Sequence, residues 1–182
     1  MEAELVPVGI GDPNPEFAKA SPLKKMPALQ DGDFGIADSS AIITYLEAKY
    51  PGSGLIPETA EGKARVQWFD EFADTVLGPA GGKIFFNRIV APKFIGREGN
   101  EAVAQEGEAE LPKLFDYLES AIPDSGFLVE DRFSLADLSI ATILGNICLL
   151  GLGPKPANHP RLSQWVATIF ARPSIAGSYQ HA

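Results

Sequence analysis

The chain has 182 residues, enough for one large domain or two small ones and for a core that needs no covalent staples. Its formal net charge is −9, with acidic residues spread along the whole length, which argues against nucleic acid as the main partner because phosphate affinity needs a basic face. The single cysteine, Cys148, excludes an internal disulfide; no apolar run is long enough to span a bilayer, and the opening MEAELVPVG lacks the basic flank of a secretory signal, so the expected location is cytoplasmic, with no membrane partner.

Residues 4–8 are the first strand candidate. Asp12-Pro13-Asn14-Pro15 ends it, and either Asn14 or Asp12 can cap a short helix. Lys19, Lys24 and Lys25 form a basic cluster in an otherwise acidic half. The plain reading of that cluster is solvated lysines on a loop. Residues 27–29 and 34–37 are two short strand candidates, and Asp31-Gly32 between them is a tight-turn dipeptide, which predicts a hairpin. Asp38 or Ser39 caps the next segment, where Ala41, Ile42, Tyr45, Leu46 and Lys49 follow helical spacing up to Tyr50-Pro51. The stretch PGSGLIPET at 51–59 is rich in turn formers and reads as a linker.

Everything beyond reads helical. Val66, Phe69, Phe72, Ala73 and Val76 form one apolar stripe, which Gly78-Pro79 and Gly81-Gly82 are expected to bend or interrupt. Val103, Gly107, Leu111, Phe115 and Leu118 form a second, with a kink expected at Pro112. Leu135, Leu138, Ala141 and Gly145 mark a third, and Leu162, Trp165, Val166 and Ile169 a fourth. The expected architecture is therefore α/β plus all-α: a small α/β domain at 1–51, a linker at 52–60 and an all-helical domain at 61–182.

Two segments of the first domain can carry chemistry. Ser21-Pro22-Leu23-Lys24-Lys25-Met26-Pro27-Ala28-Leu29 places a proline just before a strand, where its work is to shape the chain. A cis bond before Pro27, which about one X–Pro bond in twenty adopts, turns the Met26 backbone outward. Its N–H and C=O can then pair with an extended peptide as an added strand does. Ile36-Ala37-Asp38-Ser39-Ser40-Ala41-Ile42 opens a helix with an acid and a hydroxyl. Free N–H groups and the positive dipole end suit a carboxylate there, and the acid suits an ammonium. The plain alternative is an ordinary N-cap.

In order and spacing, these segments resemble the glutathione transferase family, of a bacterial-like cytosolic type. The resemblance includes the lysine before X-Pro-Ala-Leu, the Asp-Gly turn and Asp-Ser-x-Ala-Ile-x-x-Tyr-Leu. It continues through Ser134-Leu135-Ala136-Asp137-Leu138 and from His159-Pro160 through Trp165 to Arg172-Pro173-Ser174, so it covers nearly the whole chain. It implies a thioredoxin-like N-terminal domain followed by an all-helical C-terminal domain. It also implies that Met26, with Pro27 in cis, offers its backbone to the cysteinyl part of glutathione. Asp38 and Ser39 hold the γ-glutamyl end, and Lys25 lies near the glycyl carboxylate. Lys24 departs from the small residue usual in its place. The implied activity is conjugation of glutathione, as co-substrate, to small electrophiles by a homodimer. The alternatives are a non-catalytic module for assembly or ligand storage and a disulfide reductase.

The resemblance assigns residues 4–8 to the family's second strand. The first strand and first helix, with the catalytic Ser, Tyr or Cys at their junction, have no counterpart, so the N-terminal domain is expected to be incomplete at its start and the catalytic residue is not identified. The expectation favours a sequence that lacks its beginning; the alternatives are a second chain filling the gap and a rearranged first half. Ser134 and Asp137 read as a capping pair, structural rather than catalytic. Cys148 reads as core. With His159 and His181 the only histidines and no second thiol, no metal site is expected. Trp68, Phe69, Phe72, Phe85 and Phe86 read as core or interface, with Phe85, Phe86 or Arg88 as candidates to line an acceptor pocket.

Overall fold

Cap and turn chemistry sets the element boundaries of the first half. In the computed structural model, which describes residues 3–9 and 13–177, Asn14 Oδ1 accepts from the N–H groups of Glu16 at 2.9 Å and Phe17 at 3.4 Å. These bonds open helix α1 (Pro15–Ala20), whose first residue, a proline, has no N–H to lose. The alternative cap, Asp12, lies outside the described residues. Strands β1 (Ala28–Asp31) and β2 (Phe34–Ala37) pair antiparallel, with Ala28 opposite Ala37 and Asp31 opposite Phe34. The turn is therefore Gly32-Asp33, one residue later than expected, with Gly32 at φ +59°. Helix α2 (Ser39–Lys49) follows, and both helices pack on the hairpin. A Cβ on Gly35 would sit 3.1 Å from Ala20 Cα, so glycine lets α1 close onto β2.

The expected strand at 4–8 does not form. Residues 3–9 carry no regular structure, and Leu5 and Val6 are 91% and 56% exposed. A β-prone run becomes a strand only when a partner accepts its ladder, and among the described residues the sheet contains β1 and β2 alone.

The chain divides into two compact units, Met1–Gly54 and Leu55–Ala182. In the second unit, helix α3 (Ala60–Phe72) is capped by Thr59, whose Oγ1 accepts from Gly62 N–H at 3.0 Å. At Gly78-Pro79 and Gly81-Gly82, where a bend or an interruption is expected, the helical run is not interrupted. The helical run passes through a π-helical turn (Ala73–Leu77), helix α4 (Gly78–Phe85) and a second π-helical stretch (Phe86–Ile95). A helix-interior proline lacks an N–H and crowds the carbonyl four residues back. The carbonyls opposing Pro79 and Pro92 both lie in the widened π segments, where the crowding is relieved. The wider turn also corrects the apolar stripe: Val76 is 42% exposed, while Leu77 is fully buried. Gly96, at φ +69°, ends the run.

Helix α5 (Glu101–Ala121) runs unbroken through Pro112, and α6 (Leu135–Leu149), α7 (Pro160–Phe170) and α8 (Pro173–Ala176) complete the unit. Helix α4 packs on α5 and α6, α3 on α6, and α7 on both α5 and α6. Leu77, Ile84, Leu118, Ile140, Leu144 and Trp165 fill the centre. Gly107 permits the close approach of α5 to α4, since a Cβ there would lie 2.5 Å from Ala80 O. Fully buried Asp137 knits the unit together. It accepts from Leu128 N–H, Ser134 N–H and Trp165 Nε1–H, each at 3.0 Å, and from Ser134 Oγ at 3.2 Å. Burial pushes its carboxyl up from the ordinary aspartate range, and these four donors pull it back part of the way. Among the described residues no helix is long and apolar enough to cross a membrane.

Candidate functional site

The register of the hairpin brings the two chemistry-bearing segments together. Pro27 immediately precedes β1 and Asp38 immediately follows β2, so the two ends of the ladder lie side by side. The N–H of Asp38 donates to the carbonyl of Pro27 at 3.2 Å, and the Met26–Pro27 peptide is cis. Met26 stands outside the ladder, which begins at Ala28, and is 50% exposed. Its backbone N–H and C=O are therefore outside the pairing of the hairpin.

Asp38 is the N-cap of α2. Its Oδ1 accepts from Ala41 N–H at 3.1 Å, and its carbonyl accepts from Ile42 N–H at 3.0 Å. The cap leaves the N–H groups of Ser39 and Ser40, in the first turn, with no partner inside the helix. Asp38 sits at φ +92°, a region that non-glycine residues occupy at a cost. Asp38, Ser39, Met26 and Lys25 are all exposed. The site is thus an open surface offering main-chain groups beside Met26, a helix N-terminus at Ser39 and a carboxylate at Asp38, with Lys25 one residue before Met26.

Two features of this surface have no counterpart in the sequence reading. Ser21 is fully buried, and its Oγ donates to the carbonyl of Lys25 at 2.8 Å, so the loop that presents Met26 is pinned from beneath. The only hint in the sequence is a serine before proline at the end of α1. The second feature is a cavity of about 700 Å³ beside β1, whose lining includes Val6, Phe17, Pro27, Leu29 and Leu46. Nothing in a linear pattern marks it, because its walls come from four separated stretches.

The remaining candidates fall elsewhere. Cys148 is half-buried in the helical unit, against Gly153, and burial pushes its thiol up, away from reactivity. His159 caps α7, buried, with Nε2 3.0 Å from Asp116 Oδ1 and its ring edge-on to Phe115. His181 lies outside the described residues. Among those described, no group of three or more His, Cys, Asp or Glu side chains is placed to hold a metal ion. Phe69 and Phe72 are core, Phe85 is half-buried, and Trp68 and Phe86 are exposed. Arg88 donates to Glu101 and Glu108, which raise its pKa further and tie the second π segment to α5.

Comparison with known proteins agrees on both units. Residues 1–54 match the family described as glutathione S-transferase, N-terminal domain, and residues 79–173 match glutathione S-transferase, C-terminal domain. A glutathione S-transferase of Hyoscyamus muticus is 32% identical over 188 residues, spanning 100% of this chain and 87% of that protein. Glutathione S-transferase I from maize, solved with an atrazine glutathione conjugate, superposes with a TM-score of 0.79 at 27% identity, covering 96% of this chain and 83% of that one. Ure2p5 from Phanerochaete chrysosporium, solved with 1-(S-glutathionyl)-2,4-dinitrobenzene, superposes with a TM-score of 0.79 at 26% identity, covering 92% and 79%. The likeness extends over plant, fungal, mouse and bacterial proteins and does not single out the bacterial-like type expected from the motifs. The fold is a thioredoxin-like N-terminal domain with few strands, followed by an all-helical C-terminal domain.

Proposed function

The chain belongs to the glutathione S-transferase family, and from that premise we propose that it binds glutathione on the surface between Lys25 and Ser39 and conjugates it to small electrophiles. The observation that carries this reading is the hydrogen bond from Asp38 N–H to Pro27 C=O, which makes one surface of two segments eleven residues apart. Glutathione is an extended tripeptide with an ammonium and a carboxylate at one end and a second carboxylate at the other. The Met26 N–H and C=O pair with its cysteinyl unit as an added strand. The first turn of α2, with Ser39 Oγ, takes the γ-glutamyl carboxylate, and Asp38 takes the ammonium. Lys25 faces the glycyl carboxylate. Conjugation loses the thiol proton to solvent, forms a carbon–sulfur bond to the electrophile and expels its leaving group where it has one.

In this reading residues 1–51 are the glutathione-binding domain, joined by 52–60 to the helical domain at 61–182. The protein acts as a homodimer in the cytoplasm, in detoxification. Titration calorimetry with glutathione tests the site. Asp38→Ala and Ser39→Ala are each expected to weaken binding by about fivefold to tenfold, the worth of one charge-assisted hydrogen bond at an exposed site. Unchanged affinity in both variants rejects the assignment, and absence of product from a panel of small electrophiles rejects the reaction.

A second reading, binding without turnover, is favoured by a specific observation. The buried hydroxyl beside this surface, on Ser21, is committed to the Lys25 carbonyl, and the lone thiol, Cys148, lies in the helical unit with its pKa raised by burial. Product formation by this chain would dismiss that reading.

A further inference from the structure

Ser21 ends α1 with all of its polar groups committed. Its N–H donates to Phe17 C=O, its C=O accepts from Lys24 N–H and its Oγ donates to Lys25 C=O, each at 2.8 Å. The residue is fully buried. A buried hydroxyl bonded to a main-chain carbonyl fixes the orientation of a whole peptide plane, because the six atoms of the plane move together. The Lys25–Met26 peptide is trans, the cis bond being the next one, Met26–Pro27. In a trans peptide the C=O and the N–H that follows it point in opposite directions. With the Lys25 carbonyl drawn inward to Ser21, the Met26 N–H is turned away from the buried hydroxyl, toward the surface. It has no hydrogen-bond partner among the described residues, and Met26 is 50% exposed.

Resting on the reading of this surface as a glutathione site, we propose that Ser21 is a positioning residue for the bound peptide. Its hydroxyl acts through the Lys25–Met26 plane and aims the Met26 N–H at the cysteinyl unit before the ligand arrives. A donor already held in one orientation loses little freedom on binding, so the hydrogen bond contributes more of its worth to affinity. Without the hydroxyl, the buried Lys25 carbonyl loses its donor, and the plane turns to find another. The Met26 N–H then leaves its outward setting. Asp38 is unaffected by that turn at its own end, since its N–H bonds to Pro27 C=O at 3.2 Å, beyond the Lys25–Met26 plane.

Calorimetry with glutathione on the full chain tests this. Ser21→Ala is expected to weaken binding about fivefold to tenfold. Tyr45→Phe is the structural control: it too removes one hydroxyl hydrogen bond from the same unit, at the turn end of the hairpin, and is expected to change affinity less than about twofold. A spectroscopic readout follows the plane itself. Met1 and Met26 are the only methionines, so labelling methionine with nitrogen-15 reports the Met26 amide, the terminal amino group of Met1 giving no amide signal. Saturating glutathione is expected to move that resonance downfield in the unaltered chain and to move it less than half as far in Ser21→Ala. Unchanged affinity in Ser21→Ala overturns the inference, as does an equal loss in Tyr45→Phe or an equal glutathione-induced shift in both chains. If Ser21→Ala does not fold, the unaltered chain still decides: a Met26 resonance that glutathione leaves in place overturns the inference, and a downfield shift supports it. If the unaltered chain binds glutathione and only these comparisons fail, the site stands and this inference falls. If the unaltered chain binds no glutathione, the site reading falls and this inference with it.

Discussion

Asp137 shows how a single carboxylate can serve several elements. It takes two main-chain N–H groups, a hydroxyl and an indole N–H, from the loop before α6, the cap of α6 and α7. Removing it leaves these donors buried without an acceptor, and each such loss costs about 1–3 kcal/mol. Asp137→Ala is therefore expected to lower the unfolding free energy by about 3 kcal/mol or more, read from urea denaturation. Ser134→Ala should cost about 1 kcal/mol, the usual worth of a cap. Equal, small losses in both variants would show that the network is not cooperative. The capping pair was legible at Ser134 and Asp137 because its spacing is local. The bonds to Leu128 and Trp165 were not, since they depend on elements nine and 28 positions away in the chain.

At the scale of elements, the hairpin is fastened to α2 by a cluster near its turn. Tyr45 Oη donates to Asp31 Oδ2 at 2.8 Å, Lys49 Nζ donates to the same oxygen, and the rings of Phe34 and Tyr45 stack at 4.6 Å. Lys49 first, then Tyr45, hold the Asp31 carboxyl below its ordinary value of 3.8. A carboxylate whose folded pKa is depressed contributes stability that is present above the unfolded value and lost as pH falls through the folded one. The clamp should therefore act above about pH 4 and fade below it. In urea titrations at descending pH, Asp31→Asn is expected to remove part of the acid-side decline; identical pH profiles for variant and parent would refute the clamp. Tyr45 and Lys49 are four apart on a helix, which put them on one face in the sequence. Their meeting with Asp31 needed the turn to fall at Gly32-Asp33, one residue beyond the dipeptide expected.

For the whole molecule, the homodimer proposal has a concrete place to fail. Trp68 on α3 is 59% exposed although its indole N–H is spent on Tyr117 Oη at 2.6 Å, and Val76 in the following π turn is 42% exposed. Sedimentation equilibrium is expected to give twice the 19.4 kDa chain mass, with Trp68→Glu shifting the species toward monomer. A monomer mass that does not change with concentration would exclude the dimer.

The sequence alone determined what is decided within a few residues. A cap at Asn14 or Asp12, at Asp38 or Ser39 and at Ser134, a hairpin turn near Asp31-Gly32 and an apolar residue every third or fourth position act through neighbouring main-chain atoms, so their chemistry is written locally. The family resemblance rests on the same short motifs in order. Only the tertiary structure decided what depends on a partner arriving from elsewhere. Residues 4–8 carry a strand pattern but stay unpaired, because a strand is stabilised by the ladder beside it. Leu77 rather than Val76 enters the core, because a π turn changes the helical phase. Pro27 meets Asp38 through the hairpin register, and Ser21 reaches under Lys25 because the turn at Lys24 bends the chain back. The residues proposed to hold glutathione were legible one by one; their arrangement on a single surface is a property of the fold.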